Sequence, residues 1–214
     1  MAKPKQIFST LVVIFLLVGL PGISYLYLSS GYQYRKDAIK TQGDFGKMPD
    51  LSKLPAVRGE QPQRYRGAMT IVGWLDPTKP VATKQYGLML DSLYRQFANS
   101  PNLYFTTITL ADDPAATAEN FARVHNLPDT AMISFLRADA TEFARSARDF
   151  KLPLGGFDAP GETPIVALVD SSLTVVKHYN LAERDETIGL VQLVSLIIPL
   201  PERKDLILKR AKEL

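Results

Sequence analysis

Thr70-Ile71-Val72-Gly73-Trp74-Leu75-Asp76-Pro77-Thr78-Lys79-Pro80 is an apolar, strand-like run that breaks into a loop holding two prolines. A helical pattern follows, with Tyr86, Leu90, Leu93, Tyr94 and Phe97 recurring at helical spacing. The stretch is a strand–loop–helix elbow, the kind of position where a scaffold presents reactive groups. The chain contains no cysteine, so the elbow has no thiolate for redox chemistry and lacks the best side chain for a soft metal.

Strand and helix patterns alternate outward from the elbow, which predicts a mixed α/β sheet with helices on both faces. Strand Met69–Leu75 leads into a helix over residues 81–98, and Leu103–Leu110 is the next strand. Asp113 or Pro114 opens a helix through Phe121 to Val124, where capping accounts for the Asp112–Asp113 pair. A strand over Ala131–Leu136 precedes a helix over Thr141–Phe150, with Thr141 as its expected cap. After a Gly- and Pro-rich loop, Leu152 to Thr163, the strands Pro164–Val169 and Thr174–Tyr179 form a hairpin through Asp170-Ser171-Ser172-Leu173. A last helix starts near Asp185, and its apolar residues from Ile188 to Ile198 cover more than one face. They supply core or a partner surface.

The 214 residues hold 46% hydrophobic and 22% charged residues with a net charge of +3, enough for a single core and no sign of a disordered chain. Lys and Arg form no block interleaved with aromatics, so nucleic acid is not an expected partner. Residues 1–30 are expected to be a retained transmembrane anchor. Gln6 to Tyr34 carries no charge, its apolar heart is Ile7 to Leu28, and tyrosines cluster at one end. Inside the span, Pro21-Gly22 is a tolerated kink or a contact with neighbouring helices. The amino terminus is placed in the cytoplasm and the following domain outside the inner membrane, in the periplasm. Residues 31–66 form a basic neck or linker, with eight Lys and Arg against four Asp and Glu between Ser29 and Arg66. Residues 67–200 form the domain and 201–214 a short basic helix.

The order of elements, elbow first and hairpin plus helix last, is that of the thioredoxin-like fold. Ile71 to Pro80 resembles the apolar strand, aromatic residue and C-P-x-x-C elbow of the Sco/SenC family, membrane-anchored copper-binding assembly factors for cytochrome oxidase; Asp76 and Pro80 stand where that family has cysteines. Thr107 to Pro114, followed by Asn120-Phe121-Ala122, resembles the family's strand and D-P-x-x-D segment, with Thr117 at the second acidic place. Phe143 to Phe150 is similar to its A-x-x-Y helix, with Phe150 for the tyrosine. The resemblance spans residues 45–200. It implies a copper site completed by a histidine in the loop before the hairpin, yet Leu152 to Thr163 contains Gly155, Gly156, Phe157 and Asp158 and no histidine.

His125 and His178 lack a second ligand at helical or strand spacing and read as structural or solvent-facing. No G-x-S-x-G elbow is present, and the turn accounts for Ser171 and Ser172. Thr163-Pro164 either shapes a peptide-binding edge as a cis-proline or is an ordinary proline opening a strand. No catalytic, metal or cofactor residue is assigned. The expectation is a non-enzymatic, Sco-like accessory subunit or assembly factor of a respiratory, cytochrome oxidase-type membrane complex. Its partners are the membrane and other subunits, and its partner surface is the vestigial elbow Trp74, Leu75, Asp76, Pro77, Thr78, Lys79 and Pro80 with Pro164. The alternatives are an exported peptide- or ligand-binding module using the Leu152 to Thr163 loop, or copper delivery through Met48, Met69, Met89 and Met132, which share no Met-x-Met spacing.

Overall fold

The computed structural model describes residues 13, 15–29, 42–62, 65–155 and 159–198, in two units, Met1–Gln42 and Gly43–Leu214. In the first, a π-helical turn, Phe15–Gly19, continues as helix through residues 20–29. Pro21 has no N–H to bond back to residue 17 and its ring crowds that carbonyl, which explains a widened turn just upstream. Leu17, Val18, Leu26, Tyr27 and Leu28 are all exposed. Among the described residues no helix is long and apolar enough to cross a membrane. Residues 1–12 and 30–41, which hold the rest of the expected anchor and the first part of the expected neck, lie outside the described residues, as do 199–214.

The second unit is built on a six-stranded sheet of β1 (Ala56–Arg58), β2 (Met69–Leu75), β3 (Leu103–Leu110), β4 (Ile133–Ala138), β5 (Ile165–Val169) and β6 (Val175–Asn180), ordered β1-β4-β3-β2-β5-β6. β2, β3 and β4 run parallel, and β1, β5 and β6 pair antiparallel to their neighbours. Every residue of β2 is buried, as expected for a strand covered on both faces. Among the described residues four helices complete the unit: α1 (Pro80–Phe97), α2 (Pro114–Val124), α3 (Ala140–Asp149) and α4 (Arg184–Ile197).

Strand register sorts them by face. Phe135, Thr107, Gly73, Val166 and Tyr179 form one cross-strand row. Tyr86 of α1 bonds Thr107, Phe121 of α2 lies against Phe135, and Gly189 of α4 approaches Tyr179, so α1, α2 and α4 share this face. On the other face Phe143, Ala147 and Phe150 from α3 and its cap join Val72, Trp74, Ile108, Leu136 and Ala167 in one core cluster.

Residues 43–66, read from sequence as a neck, are from Gly43 onward part of this unit. Gly43 N and Phe45 N donate to Val176 O and Val175 O on β6, and Met48 N donates to Leu173 O. The chain then crosses the α3 face and ends as β1 beside β4. Phe45, Met48, Leu51 and Leu54, one every third residue, pack into the core along the way. At its far end Gly59 has φ +69, and a Cβ there would stand 2.1 Å from Ile133 O, so the strap closes only on glycine.

Several expected boundaries shift by one or two residues, and two of the shifts have a clear local cause. β4 starts at Ile133 rather than Ala131, because Ile133 N closes a turn onto Thr130 O. α3 is capped by Asp139, not Thr141: Asp139 accepts from Glu142 N while the Glu142 carboxylate accepts from Asp139 N, a reciprocal capping box.

Candidate functional site

The elbow follows from the end of β2. Asp76 Oδ1 accepts from Thr78 N at 2.9 Å and Thr78 Oγ1 at 2.7 Å. Its carbonyl accepts from Lys79 N at 3.0 Å and Thr83 Oγ1 at 2.8 Å. Pro80 then opens α1, where its missing N–H costs nothing. Across from the elbow, Lys79 Nζ meets Glu162 Oε1 at 2.6 Å, tying it to the loop before β5. That contact raises the Lys79 pKa and lowers that of Glu162, each favouring its charged form. Gly161, at φ +87, sits over Asp76, where a Cβ would be 2.8 Å from the Asp76 Cβ. The Asp76 carboxylate and carbonyl, the Thr78 hydroxyl and the Lys79 ammonium are thus tied into bonds within the elbow and to the loop before β5.

The structure divides the sequence-assigned surface. Pro77, Thr78 and Pro80 are exposed and Lys79 is half-buried, but Trp74, Leu75, Asp76 and Pro164 are buried. Trp74 therefore does not face a partner from the elbow. It points to the α3 face, its indole N–H donates to Ser146 Oγ at 2.9 Å, and its ring stands edge-on to Phe150 at 5.2 Å. Leu75 is 1% exposed and forms floor rather than tip. The expectation that both offer apolar contact surface is corrected: β2 is covered on both faces, and the loop turns outward only after Asp76. Thr163–Pro164 is trans, as are all peptide bonds of the described residues, so the cis-proline reading falls and Pro164 is a proline just before β5. Of the loop from Leu152 to Thr163, Gly156, Phe157 and Asp158 lie outside the described residues.

His125 caps α2, packs on Phe121 at 4.8 Å and lies under Gly87, where any Cβ would overlap its ring. His178 Nε2–H donates to Phe150 O at 2.8 Å, and its ring meets Phe45 edge-on. Burial lowers both pKa values, favouring the neutral ring. Asp113 caps α2 by accepting from Ala116 N at 3.0 Å, as its position in the sequence predicts. Met48 lies in the strap, Met69 is buried at the start of β2, Met89 is on α1 and Met132 precedes β4, four separate elements. Among the described residues no three His, Asp or Glu side chains are grouped as a metal site would need.

Among the described residues, three concave regions stand out around this core. A cleft of about 640 Å³ lies at the carboxyl ends of the parallel strands, lined by Asp76, Asp112, Asp113 and Asp139. Three of these four already serve as turn or cap acceptors. A cleft of about 750 Å³ lies under the strap, between Met48, Leu51, Gln61 and Tyr65. The third, about 530 Å³, is a furrow between α1 and α2 that begins at the elbow with Leu75, Pro77 and Pro80 and continues past Leu88, Phe121 and Val124. Sequence reasoning passed over Ser146, Glu162 and this furrow; Asp139-x-x-Glu142 was the one missed feature with a readable local signature.

Solved structures place the fold. A putative protein disulfide isomerase from Bacteroides thetaiotaomicron is similar at a TM-score of 0.56 and 14% identity, over 73% of this chain and 90% of that one. BsSco, a member of the Sco family of cytochrome c oxidase assembly proteins, is similar at a TM-score of 0.55 and 14% identity, over 72% and 96% of the two chains. A putative electron transfer protein from Aquifex aeolicus VF5 gives 0.54 at 13% identity, over 72% and 94%. No protein-family model and no curated protein sequence matches the chain. The likeness is one of fold: the chain is a thioredoxin-like α/β protein, structurally similar to Sco and disulfide-exchange proteins, that carries the fold without a single cysteine.

Proposed function

We propose that the protein is a non-catalytic, membrane-tethered, Sco-like subunit or assembly factor of a respiratory, cytochrome oxidase-type membrane complex. The observation that carries this reading is the elbow, whose polar atoms bond one another while an open apolar furrow starts beside it. A site built for chemistry keeps unsatisfied or perturbed groups aimed at a substrate, whereas a site built for contact keeps apolar surface. The membrane tether rests on the uncharged stretch from Gln6 to Tyr34 and on the exposed apolar side chains of residues 15–28, with the domain on the periplasmic side of the inner membrane.

Native electrophoresis of the full chain extracted in mild detergent, with the subunits of its band identified, tests the proposal. Migration with oxidase-type subunits is the expected result. Migration alone at every salt concentration would overturn it and favour an exported ligand-binding module, a second reading that the cleft under the strap supports.

A further inference from the structure

We infer that the furrow between α1 and α2 is a docking groove for a single amphipathic helix of a partner protein, apolar on the inserted face and bearing a carboxylate that meets Lys84; this rests on the proposed non-catalytic role. Among the described residues of the Gly43–Leu214 unit, four large apolar side chains are exposed: Val81 at 71%, Val124 at 61%, Leu88 at 50% and Ile188 at 41%. Leu88 and Val124 line the furrow, and Val81 lies two helical turns before Leu88 on the same face of α1. Among the described residues of this unit, two of the four line the furrow and a third stands on the same face of α1, with Ile188 apart on α4, and apolar exposure that clusters along one groove is the mark of an interaction site.

The shape selects a helix. β2 and β3 are parallel and α1 and α2 both leave their carboxyl ends, so the two helices run side by side in the same direction. They touch where His125 fits beneath Gly87 and where Phe121 stacks on Tyr86, which makes a floor between two walls. A furrow between helices accepts the ridge of a third. From Pro80 to Leu88 the wall runs about 12 Å, room for anchors at i, i+3 or i+4, and i+7. An extended peptide would fit poorly, because the backbone groups of both walls are bonded within their own helices and offer it no ladder.

Charge selects the partner's polar group. Lys84 lines the furrow without an ion pair among the described residues, and no carboxylate lines it. An incoming Asp or Glu meets complementary charge there, while a basic segment is repelled. The chain's own residues 199–214 are disfavoured on this ground, since they carry five Lys and Arg against three Asp and Glu.

The test places a photo-crosslinking benzoylphenylalanine at Leu88 in the full chain, with parallel probes at Val124 and, as control, at exposed Asp149 on α3, irradiated in native membranes. The expected result is one crosslinked peptide shared by the Leu88 and Val124 probes and absent from the Asp149 probe. That peptide has apolar residues at i, i+3 or i+4, and i+7 and one Asp or Glu, and Lys84→Glu cuts its yield about tenfold. Crosslinks to lipid, to residues 199–214, to a segment without this pattern, or a yield unchanged by Lys84→Glu overturn the inference. If no crosslink forms while the protein still migrates with its complex, the groove assignment fails and the subunit reading survives. If the protein migrates alone, both fail.

Discussion

The elbow and the furrow meet at Leu75 yet are opposites. At the elbow the Asp76 Oδ1, the Thr78 hydroxyl and the Lys79 ammonium each have a partner within the loop or the next one, from Asp76–Thr78 to Lys79–Glu162. Along the furrow, Leu88 and Val124 stand half or more exposed with no covering element among the described residues. A thioredoxin-like fold without cysteines is free to satisfy that corner internally. Surface held open at an energetic cost is where selection for contact shows.

The contrast breaks most severely at the shared residue. Leu75→Asp places an unpaired charge in the floor of both regions and should cost about 4 kcal/mol or more, against a near-zero change for Leu88→Glu on the exposed wall. Chemical denaturation of the full chain in detergent reads both. Trp74, the single tryptophan, is buried and reports on the core, so it serves as the probe. Ser146→Ala comes next, because it leaves the buried indole N–H of Trp74 without its acceptor, at about 1–3 kcal/mol in the same assay.

A smaller effect is pH-dependent and belongs to the face opposite the furrow. Burial lowers the His178 pKa from its ordinary 6.5, so below that pH the unfolded chain binds a proton that the folded one refuses. Stability should therefore fall as pH drops from 7 toward 5. His178→Gln should flatten the slope without abolishing it, since His125 is shifted in the same direction. The smallest effects belong to the elbow. Lys79→Ala severs an exposed ion pair and should leave the melting temperature unchanged. Stoichiometric Cu(I) or Cu(II) should leave Trp74 fluorescence unchanged, and saturable quenching reversed by a chelator would favour copper delivery instead.

How much of this is legible in the sequence depends on what each residue's surroundings add. β2 and β3 are bounded as the sequence predicts, Met69–Leu75 and Leu103–Leu110, because central strands in a covered sheet read as continuous apolar runs. That same continuity hides which face Trp74 takes, since a run without alternation has no inside and outside. The strap escaped notice because anchors every third residue match neither helix nor strand periodicity. On α1, Leu88 falls off the buried stripe of Tyr86, Leu90, Leu93 and Phe97, but a single exposed leucine is ordinary, and its place in a furrow shows only once α2 stands beside it. The final helix divides likewise: Leu190, Leu193 and Val194 are core while Ile188 is exposed.

The most direct test of the central claim, that the protein works through surface rather than elbow chemistry, compares two double variants of the full chain for retention in the native complex. Lys79→Ala with Glu162→Ala opens the elbow's tie, and Leu88→Glu with Val124→Glu spoils the furrow, neither touching the core. Both variants should keep the native Trp74 emission; the elbow variant should stay in the complex and the furrow variant should be released from it. Release of the elbow variant with retention of the furrow variant would contradict the account.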